Sequence, residues 1–309
     1  MGRLHERVCG ALSSRSTRKS LAPYALLLPF ILLGVLFLLG IGNALLQSFG
    51  YIPALGLSEF TIRYYEEIFQ NPILLDSVRT SLSIALVSSV LATVFGVLVC
   101  AALVYTGSIR GWRLQLIKLP ILIPHMVVAL FAVTFLSQNG LLARILYALG
   151  LLSSQGNFPQ LLYDQKNVGI IIAYLWKEIP FVAYFTLTLM ASVSTTLGEA
   201  SENLGVCKLK TFFHITLPLS MPAVKKAFLI IFAFSFGAYE LPFLLGATLP
   251  KALPVQAYVE YVNPDLRHRP YAMAMNSIML MLTLVMSAVY YWLLKKDFNQ
   301  IGGDADETK

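Results

Sequence analysis

The chain has 309 residues, of which 57% are hydrophobic and only 13% charged, and its mean hydropathy is +0.70. Such a chain is too apolar for a water-soluble domain of its size and falls in the polytopic membrane class. The formal charge of +7 does not point to nucleic acid, because the basic residues are scattered over short segments rather than gathered in a stripe; orientation in a membrane and contact with lipid account for it. Cys9, Cys100 and Cys207 have neither metal spacing nor a disulfide framework and read as free thiols.

In chain order, residues 1–20 form a polar tail rich in Ser and Arg. Apolar runs follow near 23–49, 78–105, 114–136, 168–193, 223–245 and 272–294, each long enough as a helix to cross a hydrocarbon core of about 30 Å. Backbone groups in lipid must be satisfied within the segment, and the alternation of barrel strands is absent. The fold class is therefore an all-α polytopic membrane protein with six transmembrane helices. Residues 21–296 make up this membrane domain, and 297–309 a C-terminal tail. The first run is longer than a signal-peptide core, and no small-x-small cleavage site follows, so it counts as a span. After it, the patch from Tyr64 to Phe69 reads as a short amphipathic helix at the outer interface. Residues 141–149, within the loop 137–167, read as a half-buried helix. Of the 23 Lys and Arg residues, fifteen lie in the N-terminal tail, the second and fourth loops and the C-terminus, seven lie on the other side, and Lys177 falls inside a span. This asymmetry places both termini and the fourth loop in the cytoplasm.

That fourth loop, 197–222, is a charged hairpin between two apolar runs. Glu199 stands near a predicted helix start, where the dipole favours a carboxylate. Ala200 and Ser201 are small enough for another surface to approach, and Gly205 can break the helix. A second short helix is predicted from Lys208 to His214. Leu217, Pro218 and Pro222 then lead into the fifth span, proline being suited to a helix start. The spacing from Glu199-Ala200 to Gly205 and on to Ile215-x-Leu217-Pro218 resembles the EAA loop of binding-protein-dependent, type I ABC importer permeases. Ser201 stands where that family often has a second Ala. The resemblance extends over 23–294 and is most specific in this loop.

The resemblance implies a loop seated in a groove of an ATP-hydrolysing subunit, whose closure swings the spans between inward- and outward-facing states. It further implies two ATP-binding subunits carrying ATP and Mg, a second permease subunit, identical or homologous, and an extracytoplasmic solute-binding protein. No cofactor is expected on this chain, and no nucleic acid partner. The expected location is the lipid bilayer of a bacterial inner membrane.

Charged side chains inside spans are functional candidates by default. Lys177 and Glu178 lie beside Pro180 and, as helix neighbours, point about 100° apart. They either line a cavity or accompany a kink as a compensated pair. Glu240 sits among Gly237, Pro242 and Gly246, which predict a broken fifth span; it either faces the path, where it can pair with Lys177, or bonds backbone freed by Pro242. Tyr239, Phe243 and Asn276 complete the candidate path. His125 reads as a packed histidine beside Pro124, since no second ligand stands at metal spacing. The run around Glu240, with 253–255 and 269–274, looks like permeases for polyamines, opines, phosphonates and ferric iron. A polyamine-like cation is the favoured solute, with phosphonate, ferric iron and thiamine as alternatives. The chain lacks Gly-x-x-x-x-Gly-Lys-Ser/Thr, so ATP hydrolysis belongs elsewhere. His-Glu-x-x-His and Gly-x-Ser-x-Gly are also missing, which argues against a membrane-embedded enzyme. An ion-coupled secondary transporter or channel is the alternative of a different class.

Overall fold

The computed structural model describes residues 26–302, with side-chain surroundings through Trp292. The expected tail at 1–20, Cys9 and residues 303–309 lie outside the described residues. Among the described residues, thirteen α-helices run in order: α1 (Leu26–Ser48), α2 (Arg63–Gln70), α3 (Pro72–Tyr105), α4 (Trp112–Leu122), α5 (His125–Leu136), α6 (Leu141–Ala148), α7 (Val168–Val193), α8 (Glu199–Asn203), α9 (Lys208–Thr211), α10 (Leu217–Gly237), α11 (Glu240–Leu245), α12 (Leu253–Tyr261) and α13 (Arg269–Gly302). Among the described residues there is no named strand. Six helical stretches of the described residues are long and apolar enough to cross a membrane: Leu26–Ser48, Pro72–Tyr105, His125–Ala148, Val168–Asn203, Lys208–Gly237 and Leu266–Trp292.

The third stretch runs on to Ala148, the fourth to Asn203 and the sixth starts at Leu266, beyond the expected 136, 193 and 272; three further differences from the sequence expectation have a local physical reason. The second span starts at Pro72, six residues before 78, because Asn71 Oδ1 accepts the Ile73 N–H at 3.0 Å and Pro72 occupies the first helical turn. The expected third span, 114–136, is broken. Pro124 lacks an N–H and forces Ile123 out of helical geometry (ψ 130°), so α4 ends there and α5 starts afresh. The fifth span, expected at 223–245, is helical from Lys208 to Gly237 and then interrupted, Ala238 being extended (ψ 135°), before the single turn and a half of α11. The helix α12 lies within what reads in the sequence as loop. Pro254 starts it, and the N–H of its buried Leu253 donates to Ser81 Oγ of α3 at 2.7 Å.

The centre of the molecule is the packing of α3, α7 and α10 on one another. Their shared core holds Ala92, Val97, Cys100, Val182, Met190 and Ile231. The approach is close because α3 turns a stripe of small residues inward, from Ser81 through Ala85, Ser88 and Ala92 to Gly96. A second core gathers α5, α7, α11 and α12 around Val128, Tyr174, Leu241 and Val255, and a third joins α2, α12 and α13 around Ile68, Leu253 and Met275. The first span stands apart, with none of its apolar window buried. Its C-terminal end is tethered, because Tyr65 OH donates to Ser48 Oγ at 2.6 Å and the Phe49 and Tyr65 rings lie 5.4 Å apart.

Candidate functional site

The hairpin grows directly out of two long helices. The fourth span continues from α7 through a π-helical turn, Ser194–Gly198, into α8, and the fifth begins at α9 and passes through a second π-turn, Phe212–Thr216, into α10. Glu199 is therefore not at a helix start. Gly198 ahead of it is in right-handed helical conformation, so the dipole has no free end there to favour the carboxylate. Nor is Lys208–His214 a separate helix, since Pro218 and Pro222 lie within a continuous helical run.

Gly205 does end α8. Its N–H reaches Glu202 O at 2.9 Å and the next N–H, of Val206, reaches Ser201 O at 3.2 Å, the Schellman arrangement, with Gly205 at φ +86°. The two arms are joined across the turn by Ser201 Oγ and Thr211 Oγ1, 3.1 Å apart and buried. Tyr105 of α3 donates to the Lys208 carbonyl at 3.4 Å. What the hairpin leaves outside is mixed in character: Glu199, Ala200, Gly205, Lys208 and Pro218 are exposed, with Leu204 at 86% and Leu209 at 69%. Ile215 and Leu217 are half-buried at its root.

The second group of candidates lies among the spans. Lys177 and Glu178 are both buried, and they part company as their spacing requires. The Lys177 ammonium donates to the Ile123 carbonyl, the acceptor that Pro124 strands at the end of α4. Glu178 Oε1 accepts from Ser235 of α10. Ser88 of α3 lies beside that carboxylate, although its hydroxyl bonds the Ala85 carbonyl at 3.3 Å, and Glu178 Oε2 has no hydrogen-bond partner. The two residues thus do not compensate each other as a pair. With His125, Phe181, Phe234 and isoleucines of α4 and α10 they line a cavity of about 200 Å³.

His125, read as a packing residue from the sequence, opens onto this cavity with its ring 4.9 Å from that of Phe234. The signal for it was the Pro124 break, which makes His125 the first residue of α5. Glu240 is within electrostatic reach of both His125 and Lys177, but the ammonium is bonded to the Ile123 carbonyl, and no Lys177–Glu240 bridge forms among the described residues. Tyr239 and Phe243 stack at 4.8 Å, and Tyr258 of α12 closes on them at 4.9 and 6.0 Å, an aromatic wall that the sequence did not join. Asn276 is exposed on α13 and does not line the Lys177 cavity. No cluster of three or more His, Cys, Asp or Glu capable of holding a metal occurs among the described residues.

Comparison with known proteins bears on the whole arrangement. A family described as binding-protein-dependent transport system inner membrane component matches residues 92–296. The sn-glycerol-3-phosphate transport system permease protein UgpA of Pectobacterium atrosepticum is 35% identical over 213 residues, covering 66% of this chain and 70% of that protein. The putrescine transport system permease protein PotI of Escherichia coli is 25% identical over 67% of this chain and 70% of its own. Among solved structures, a chain of the bacterial alginate ABC transporter in complex with alginate pentasaccharide-bound periplasmic protein superposes with a TM-score of 0.73 at 20% identity, covering 90% of this chain and 97% of that one. Six spans, a hairpin at the foot of the fourth and fifth, and a match reaching from α3 into α13 agree: the chain belongs to the inner-membrane components of binding-protein-dependent ABC transport systems.

Proposed function

We propose that the chain is the permease subunit of an ATP-driven importer and that the 197–222 hairpin couples it to the motor. The supporting observation is mechanical: each arm of the hairpin is the direct helical extension of a span, so a push on the tip is delivered to α7 and α10 without an intervening flexible loop. The tip offers a partner exposed Leu204 and Leu209 flanked by Glu199 and Lys208. Two cytoplasmic ATP-binding subunits, which carry ATP and Mg, dock there; a second permease completes the pathway, and an extracytoplasmic binding protein delivers the solute. Both termini are cytoplasmic in this reading. The solute is small and polar, and its route passes the Lys177–Glu178 cavity. The chain itself performs no hydrolysis.

Glu199→Lys and Gly205→Asp test the assignment in the assembled transporter. Each is expected to insert and assemble normally and yet to lose the ATPase activity stimulated by solute-loaded binding protein. Undiminished stimulation in both variants would remove the coupling role of the hairpin.

A further inference from the structure

The two largest cores are separated by a polar layer, and two spans are broken at that layer. To the first core α3 gives Ala92, Val97 and Cys100, α7 gives Val182, Leu187 and Met190, and α4 and α10 supply the rest. To the second α3 gives Ile84, α7 gives Ile170, Ala173 and Tyr174, and the rest comes largely from α5, α11 and α12. No buried residue belongs to both. Between them α3 carries Ser88 and Ser89, and α7 carries Lys177 and Glu178, all four buried. Here α4 gives way to α5 at Ile123 (ψ 130°) and α10 to α11 at Ala238 (ψ 135°). No backbone hydrogen bond crosses either break among the described residues. By contrast α3 and α7 pass through the layer as single helices, α7 in spite of Pro180.

Side chains of α7 hold what the backbone leaves loose. Lys177 takes the carbonyl at the end of α4, and the next residue, Glu178, takes Ser235 in the last turn of α10. Helix neighbours project about 100° apart, so two adjacent positions can reach two different helices. Both bonds fall on the hairpin side of the breaks. His125 and Glu240, at the starts of α5 and α11, come within electrostatic reach of Lys177 without bonding it, and the packing of α5 and α11 on α7 is apolar. The end of α10 has one further foothold, Phe232 and Phe236 against Ala85 of α3.

We infer that Lys177 and Glu178 are positioning residues of the transport stroke, an inference that rests on the coupling reading above. They make the ends of α4 and α10 part of α7, so the half of the protein that carries the hairpin turns as one body and the bend falls on Ile123–Pro124 and Ala238. Hinges are a few element-terminal residues that absorb the change in backbone angle. Without the two ties, α4 and α10 would lag behind α7; ties reaching α5 and α11 instead would resist the bend.

Amide hydrogen exchange in the complete transporter, reconstituted in lipid and compared with and without ATP plus vanadate, tests this. Trapping is expected to change exchange at residues 121–127 and 236–241, while 112–119, 181–192 and 220–232 stay as they were. Glu178→Ala should release the last turn of α10, so that 233–237 exchanges several-fold faster before nucleotide is added. Glu178→Gln, which still accepts from Ser235, should not. Ser235→Ala should match Glu178→Ala, and the double variant should add nothing. Lys177→Met should act at 119–123, whereas Lys177→Arg, which keeps a donor for the Ile123 carbonyl, should behave as wild type. A general packing role would loosen α7 itself and would give no such rescue. Changes spread evenly along α4 and α10, or confined to places away from the breaks, would overturn the inference. So would wild-type protection of both helix ends in Glu178→Ala and Lys177→Met. A chain whose exchange ATP alters nowhere would overturn the hairpin coupling, and this inference with it.

Discussion

Gly96 and Gly205 are glycines under two different constraints. A Cβ on Gly96 would stand 2.6 Å from Val182 Cβ and 3.0 Å from the Ile179 carbonyl, so α3 and α7 meet where one of them has no side chain. A Cβ on Gly205 would meet nothing within 4 Å, yet the φ of +86° disfavours any side chain. Gly96→Ala must push the two helices apart or shift Val182, at about 1–3 kcal/mol. Purified in detergent, this variant should melt lower than wild type, whereas Gly34→Ala in α1, with nothing within 4 Å of its new methyl, should not. Equal midpoints for the two would show that the α3–α7 contact yields without cost. The same contrast applies to the span charges. That Lys177 and Glu178 lie in an apolar run is visible in the sequence, but their partners, the Ile123 carbonyl and Ser235, are 54 and 57 residues away and become readable only once the helices are packed.

At the scale of elements, the hairpin holds its two arms together through one buried hydroxyl pair. Ser201, which departs from the small Ala of the resemblance, gives the turn a bond to Thr211 across 3.1 Å. Removing one partner strands the other, at about 1–3 kcal/mol, while removing both leaves no orphan. Ser201→Ala and Thr211→Val should therefore each lower the thermal midpoint, and the double variant should lose less than the sum. Strict additivity in this cycle would mean that the hydroxyls do not act on each other. Apolar run length made the number of spans legible, though not the extent of the third and fifth, and Gly205 made the end of α8 legible. The π-turns were not, since an extra residue in a helical turn leaves no mark on residue type. The Ile123–Pro124 break was missed because both of its flanks are equally apolar, so the run read as one span although Pro124 itself was the signal. The nine-residue α12 was hidden for the opposite reason, being too short to stand out from the loop around it.

Over the whole molecule, the first and sixth spans are gathered by a short helix outside the spans. α2 bonds the end of α1 through Tyr65 and Ser48 and reaches α13 through Glu67, which accepts from Tyr271 OH and from Arg63 Nε, the latter at 2.5 Å. The first and sixth spans are thus tied through one amphipathic turn that the sequence showed only as an interfacial anchor. Its carboxylate senses acid. The Tyr271 hydrogen bond, followed by the bond to Arg63, holds Glu67 below the ordinary carboxylate value. A carboxyl whose folded value is depressed contributes stability that is complete above its unfolded value and disappears as pH falls through the folded one. The tie between α2 and α13 should therefore weaken only in acid. Tyr271→Phe removes the larger cause, so Glu67 should titrate closer to an unperturbed carboxylate and contribute less at neutral pH. The fall in thermal midpoint between neutral and acidic buffer should be smaller in that variant than in wild type. Arg267, Glu260 and His268 share the cavity of about 600 Å³ at this site, with His268 Nδ1 2.6 Å from Glu260. A background of Glu67→Gln isolates the contribution of Glu67 from that of its neighbours. There, adding Tyr271→Phe should leave the pH dependence where it was; a further change would show that the acid response does not arise at Glu67.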